Sequence, residues 1–130
     1  MMETNFRHDF SGKIILIVED EMSNFALLEA LLSTTGAKII HVTTGKAAID
    51  YATNHPDLDM VLMDIKLPDI IGYEVTRRIR ILYPDLPIIA QTAFVMSGDK
   101  EKALRSGCNA YIPKPIDLNK LLDTMSEFLL

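Results

Sequence analysis

A single cysteine, Cys108, stands among the 130 residues, so no disulfide forms within the chain and a reducing cytoplasm is the expected compartment. Placed after Gly107, that thiol reads as a small core residue rather than a reactive one. No apolar run approaches the roughly 20 residues of a membrane span, and the start of the chain carries no signal-peptide pattern. Basic residues are scarce: 13 Lys and Arg face 18 Asp and Glu, a net charge of −5. Nucleic acid needs a basic surface, so direct contact with it is not expected. The acidic balance reads as ordinary solubility. Repeats and low-complexity tracts are absent as well.

What is present is enough for one domain with one solid core, at 48% hydrophobic residues. Residues 1–12 are polar and mixed and read as a leader or linker, which leaves 13–130 as the domain. Five short apolar runs alternate with five segments of helical spacing. The runs are 13–18, 37–42, 59–63, 87–91 and 109–112. Lys38 and His41 interrupt the second run, which places it at a sheet edge. The first helix is expected over about 23–35, with Leu27, Leu28, Leu31 and Leu32 on one stripe and Gly36 as its stop. The second covers about 45–54 and buries Ala48, Ile49 and Ala52. The third runs to about Leu82, with Val75, Ile79 and Leu82 inward. A weaker fourth covers 97–106, and a fifth, capped by Asp117, covers 117–129. Unbroken apolar strands alternating with helices imply a parallel sheet covered on both faces, an α/β fold.

The strand ends carry the chemistry. The first run hands over to Glu19-Asp20-Glu21, the third to Asp64, the fourth to Thr92 and the fifth to Lys114-Pro115. Right-handed crossovers put these ends on one rim. With strand order 2-1-3-4-5, the ligand-binding crevice falls between strands one and three. Glu19, Asp20 and Asp64 therefore converge there. Three adjacent carboxylates need protons or a cation, and an all-oxygen set with room for water favours Mg²⁺, with Mn²⁺ as a substitute. A metal, an ammonium and a hydroxyl are the parts that neutralise and orient a transferring phosphoryl group.

From Lys13 to its end, the chain resembles the receiver domains of two-component response regulators. The resemblance rests on Ile14-Ile15-Leu16-Ile17-Val18-Glu19-Asp20-Glu21, Leu62-Met63-Asp64-Ile65-Lys66-Leu67-Pro68, Gln91-Thr92-Ala93 and Tyr111-Ile112-Pro113-Lys114-Pro115. It implies a doubly wound (βα)5 flavodoxin-like fold and a phosphorelay role. Asp64 would take a phosphoryl group from a histidine kinase. Asp20 would hold the metal directly, Glu19 directly or through water, and the Lys66 carbonyl would complete the set. Lys114 would pair with Asp64 and then with a phosphoryl oxygen, while Thr92 would donate its hydroxyl to another. Ala93 would leave room for the incoming group, and Pro115 would follow a cis bond. Tyr111 would rotate inward as Thr92 moves, changing the surface of the fourth helix, fifth strand and fifth helix. Lys66 and Phe94 would set the phosphate lifetime, with Phe94 hindering water.

The resemblance also implies a domain that catalyses its own phosphorylation and dephosphorylation. The stretches around Gln91, Gly107-Cys108-Asn109 and Lys114 look most like receivers of hybrid histidine kinases. Such a receiver passes its phosphate to a histidine phosphotransfer domain. A stand-alone receiver acts on a target protein, and phosphorylation-linked dimerisation is open to it. Ile71-Gly72 departs from the usual Asp-Gly, and Gly72 is expected to keep the turn flexible. Three rivals stand beside this reading. An aspartate-nucleophile phosphatase would need an acid where Lys66 stands, and a flavin binder would need a phosphate cradle where Glu19-Asp20-Glu21 stands. A phosphorylation-independent interaction module would not need the intact acid set.

Overall fold

The computed structural model describes residues 8–93 and 98–130. The described strands are β1 (Ile14–Val18), β2 (Lys38–Val42), β3 (Met60–Asp64), β4 (Ile88–Thr92) and β5 (Ala110–Pro113). The helices are α1 (Met22–Leu32), α2 (Gly45–Asn54), α3 (Gly72–Leu82), α4 (Asp99–Ser106) and α5 (Leu118–Leu129). The strands form one parallel sheet in the order β2-β1-β3-β4-β5, with β2 at an edge as its polar residues suggest. No helix among the described residues is long and apolar enough to cross a membrane.

Pleating sends alternate side chains to opposite faces, and each face has its own core. Leu16, Val18, Val61, Met63, Ile88 and Ala90 pack with α2, α3 and α4 through Ala48, Ala52, Val75, Ile79 and Ala103. Ile15, Ile17, Met60, Leu62, Ile89 and Ile112 pack with α1 and α5 through Leu28, Leu32, Leu121, Leu122, Met125 and Leu129. Cys108 is buried, as its reading as a core residue requires; burial pushes its thiol pKa up.

Three details depart from the sequence reading. Leu27 and Leu82 are not inward: each is 44% exposed. On α1 the buried positions are Leu28 and Leu32, and on α3 they include Val75, Thr76 and Ile79; Leu27 and Leu82 sit at the margins of those stripes. The end of the expected leader is also packed into the fold. Phe10 is fully buried in the α1–α5 core, and its amide donates to the Thr35 carbonyl at 2.8 Å. Buried His8 meets Asp123 of α5, Nε2 to Oδ1, at 2.8 Å. Finally, Asp64 and Thr92 are the last residues of their strands rather than the first of the loops. The sheet itself therefore aims their side chains.

Candidate functional site

β1 and β3 are neighbours, with Val18 in register with Met63, so the acids that follow them meet at one rim. One carboxylate oxygen from each of Glu19, Asp20 and Asp64 lies within 4.8 Å of the others. Glu19 is 1% exposed and Asp64 6%, while Asp20 is open to solvent. Lys114, entering from the end of β5, puts Nζ 3.0 Å from Glu19 Oε1 and 3.6 Å from Asp64 Oδ2. The Lys66 amide donates to Asp64 Oδ1 at 3.1 Å, and the Glu21 amide to Glu19 Oε2 at 3.3 Å.

One ammonium does not balance three carboxylates. Burial, then the adjacent Glu19, pushes the Asp64 pKa from 3.8 up to about 7, against the opposing pull of Lys114 and the Lys66 amide. A buried carboxylate with so high a pKa marks negative charge still in need of a partner. The donor set is entirely oxygen, and one acid is open to water. A hard divalent cation that keeps part of its water shell fits it. The cleft above has a volume of about 490 Å³ and is lined by Asp20, Glu21, Asp64, Lys66, Leu67, Pro68, Ala93 and Lys114.

The surrounding loops are fixed by specific contacts. Asp69, just past the Pro68 turn, accepts from the Gly45 and Lys46 amides at 2.8 and 2.9 Å, capping α2. These two donors hold its pKa below the usual carboxylate value. Gly72 opens α3 against the back of the site. A Cβ there would lie 2.5 Å from the Asp64 carbonyl oxygen and 2.6 Å from Ile65 Cα. Its φ is not positive, so Gly72 is needed for close approach rather than for a flexible turn. Ile71, its neighbour, is half exposed.

Thr92 is fully buried at the end of β4, and its carbonyl accepts from the Lys114 amide at 2.8 Å. The Lys114–Pro115 peptide is cis. Tyr111 is half-buried against the α2–α4 side core, and burial, then the charge of Asp99, raises its hydroxyl pKa. The structure thus gathers Glu19, Asp20, Asp64, Lys66 and Lys114 around one cleft, with Ala93 on its wall and Thr92 beside it. Phe94 lies outside the described residues. Sequence reasoning missed the Glu19–Lys114 pair, the Asp69 clamp and Gln91. The last is buried in β4 in register with Asp64, and its Nε2 has no hydrogen-bond partner among the described residues. The apolar run before Thr92 held one amide out of place, and that was its only signal.

A parallel α/β sheet with acids, lysine and threonine at its carboxyl rim defines a phosphoryl-handling class of fold. The particular family follows from comparison. The chain belongs to the response regulator receiver domains, whose family model matches residues 15–126. It is 40% identical over 120 residues to the polar-differentiation response regulator DivK of Brucella ovis, covering 90% of this chain and 96% of that protein. Its structure superposes with TM-score 0.83 on the receiver domain of the sensor histidine kinase PA1611 from Pseudomonas aeruginosa PAO1, which holds a magnesium ion in its active-site cleft. Identity there is 36%, over 92% of this chain and 98% of that one. The Saccharomyces cerevisiae Ssk1 receiver, solved with the histidine phosphotransfer protein Ypd1, is 30% identical with TM-score 0.83, over 92% of this chain and 90% of that one. The chain is a receiver domain of two-component signalling, and the phosphatase and flavin-binder readings are set aside.

Proposed function

We propose that Asp64 is the phosphoacceptor and that Glu19, Asp20, Asp64 and the Lys66 carbonyl hold Mg²⁺, or Mn²⁺ in its place. The observation that carries this is the convergence of three carboxylates at the sheet rim, two of them, Glu19 and Asp64, paired with the Lys114 ammonium, and Asp64 held mostly out of water. A bound cation supplies positive charge that keeps Asp64 ionised and neutralises phosphoryl oxygens. Asp64 attacks the phosphorus of a phosphohistidine. The P–N bond breaks, its electron pair stays on the departing imidazole, and an acyl phosphate remains. Lys114 shifts from Glu19 and Asp64 to a phosphoryl oxygen, and Thr92 donates its hydroxyl to another. In this way the domain catalyses its own phosphorylation, and water attacking the same phosphorus ends the state.

The partner is a histidine kinase, with a histidine phosphotransfer protein or a target protein downstream. Supporting this, α1, which follows the cleft-lining Glu21, leaves Met22 61% and Leu27 44% exposed, apolar area open to a protein partner. Tyr111 reports the phosphoryl group to the α4–β5–α5 surface, where a phosphorylation-linked dimer would also form. The receiver unit takes in residues 8–12, and the cytoplasm is its compartment. Resemblance to hybrid-kinase receivers is supported by the superposition on the PA1611 receiver.

Acetyl phosphate with Mg²⁺ tests the reading. The protein should gain one phosphoryl group that survives acid and is lost in base. Chelation of the metal or Asp64→Asn should prevent it. Labelling that persists in Asp64→Asn would refute the assignment.

A further inference from the structure

The backbone of Glu19 is held from the edge strand β2. Its amide donates to the Val42 carbonyl at 3.0 Å. Its carbonyl oxygen lies 2.8 Å from His41 Nε2. A carbonyl only accepts, so Nε2 carries the ring proton and donates. The His41 ring also stacks on Phe25 of α1, with centroids 3.6 Å apart and planes 3° from parallel. Helix α1 reaches the loop at Glu21, where the Ser23 hydroxyl donates to Oε1 at 2.9 Å and the Phe25 amide to the carbonyl at 3.1 Å, one residue beyond the Glu19–Asp20 peptide.

The carbonyl that His41 holds belongs to the Glu19–Asp20 peptide. Rotating that peptide plane would swing the backbone from which Asp20 projects, and Asp20 is the exposed member of the acid set. We infer that His41 is a positioning residue for the metal site, its Nε2–H fixing the Glu19–Asp20 peptide so that both carboxylates face one cation. The inference rests on the metal reading above. His41 touches neither the cation nor the phosphoryl group. It acts through the backbone, as outer partners of metal ligands commonly do. The Phe25 stack ties the same ring to α1, so the acid loop and that helix share one support.

The test is Mg²⁺ affinity measured by titration calorimetry on the whole chain, with no phosphoryl donor present. His41→Phe keeps a ring for Phe25 and removes the donor. His41→Gln returns an amide donor at the same distance along the side chain. The phenylalanine variant should bind Mg²⁺ about tenfold more weakly, and the glutamine variant should recover most of that loss. Equal affinity in His41→Phe and wild type would overturn the inference, as would equal losses in both variants. Asp20→Asn separates the two readings. If it removes binding while His41→Phe is silent, the metal site stands and His41 has no part in it. If the wild type binds no Mg²⁺, the metal reading itself fails. Nitrogen-15 spectra of the wild-type imidazole give a check that needs no folded variant: they should show the proton on Nε2, and a proton on Nδ1 alone would contradict the inference.

Discussion

Where the strands begin, Arg80 donates to the carbonyls of Gly107, Tyr83, Pro84 and Leu86 and to Asn109 Oδ1, at 2.6–3.1 Å. Asn109 Oδ1 also accepts from the Ile88 amide at 2.9 Å. Where the strands end, three carboxylates converge, only Glu19 and Asp64 pair with the Lys114 ammonium, and burial raises the Asp64 pKa to about 7. One rim joins α3, β4 and β5 through the paired donors and acceptors of Arg80 and Asn109. The other leaves charge unbalanced, and a folded chain tolerates that where an incoming ion or group completes the site. The contrast separates stability from function within one 130-residue chain.

The sharpest way to break the contrast is to exchange its consequences. Asp64→Asn should abolish labelling by acetyl phosphate, and folded Arg80→Ala should label like wild type. A labelling defect in Arg80→Ala equal to that of Asp64→Asn would erase the distinction between the rims.

Next in size is the pH dependence of stability without metal. The folded pKa of Asp64 lies above its ordinary value, so the fold favours the protonated acid. Its contribution is complete below about pH 4 and is lost as pH rises through about 7. Asp64→Asn removes the buried charge. The variant should therefore be more stable than wild type at pH 8, by on the order of a few kcal/mol, with the gap closing toward pH 4. Urea unfolding at several pH values reads this gap, and a gap that widens toward acid would have the wrong sign.

Arg80→Ala should destabilise by about 2–3 kcal/mol in urea unfolding, because several carbonyls lose a charged donor together. Its Mg²⁺ affinity should not move. Gly72→Ala should cost about 1–2 kcal/mol, since its Cβ would press on the Asp64 carbonyl and Ile65. Unlike Arg80→Ala, it should also lower labelling, because the pressure falls on the strand end that carries Asp64.

The two rims differed in how plainly they could be read. Apolar runs that stop at Glu19, Asp64, Thr92 and Lys114 announce the functional rim, because a buried parallel strand leaves charge only at its tip. Topology then brings distant acids together. The Glu19–Lys114 distance was not legible, since it depends on how far one rim residue reaches across two strands. Arg80 sits in Arg77-Arg78-Ile79-Arg80 and looks like any solvent-facing arginine; its acceptors lie in loops up to 29 residues away. Phe10 was hidden among polar neighbours, and only the groove between α1 and α5 shows why one aromatic there is buried. Gly72 read as a turn residue, and the reason for it is a backbone contact that no local pattern encodes.

The central claim is that the crowded acid at the tip of β3 is the group that accepts phosphorus. Tandem mass spectrometry of protein treated with acetyl phosphate and Mg²⁺, after borohydride reduction of the acyl phosphate, locates it directly. Residue 64 alone should read as homoserine, and only when donor and metal were both present. Reduction at Asp20 or Glu19 instead, or none at any acid of the cleft, would contradict it.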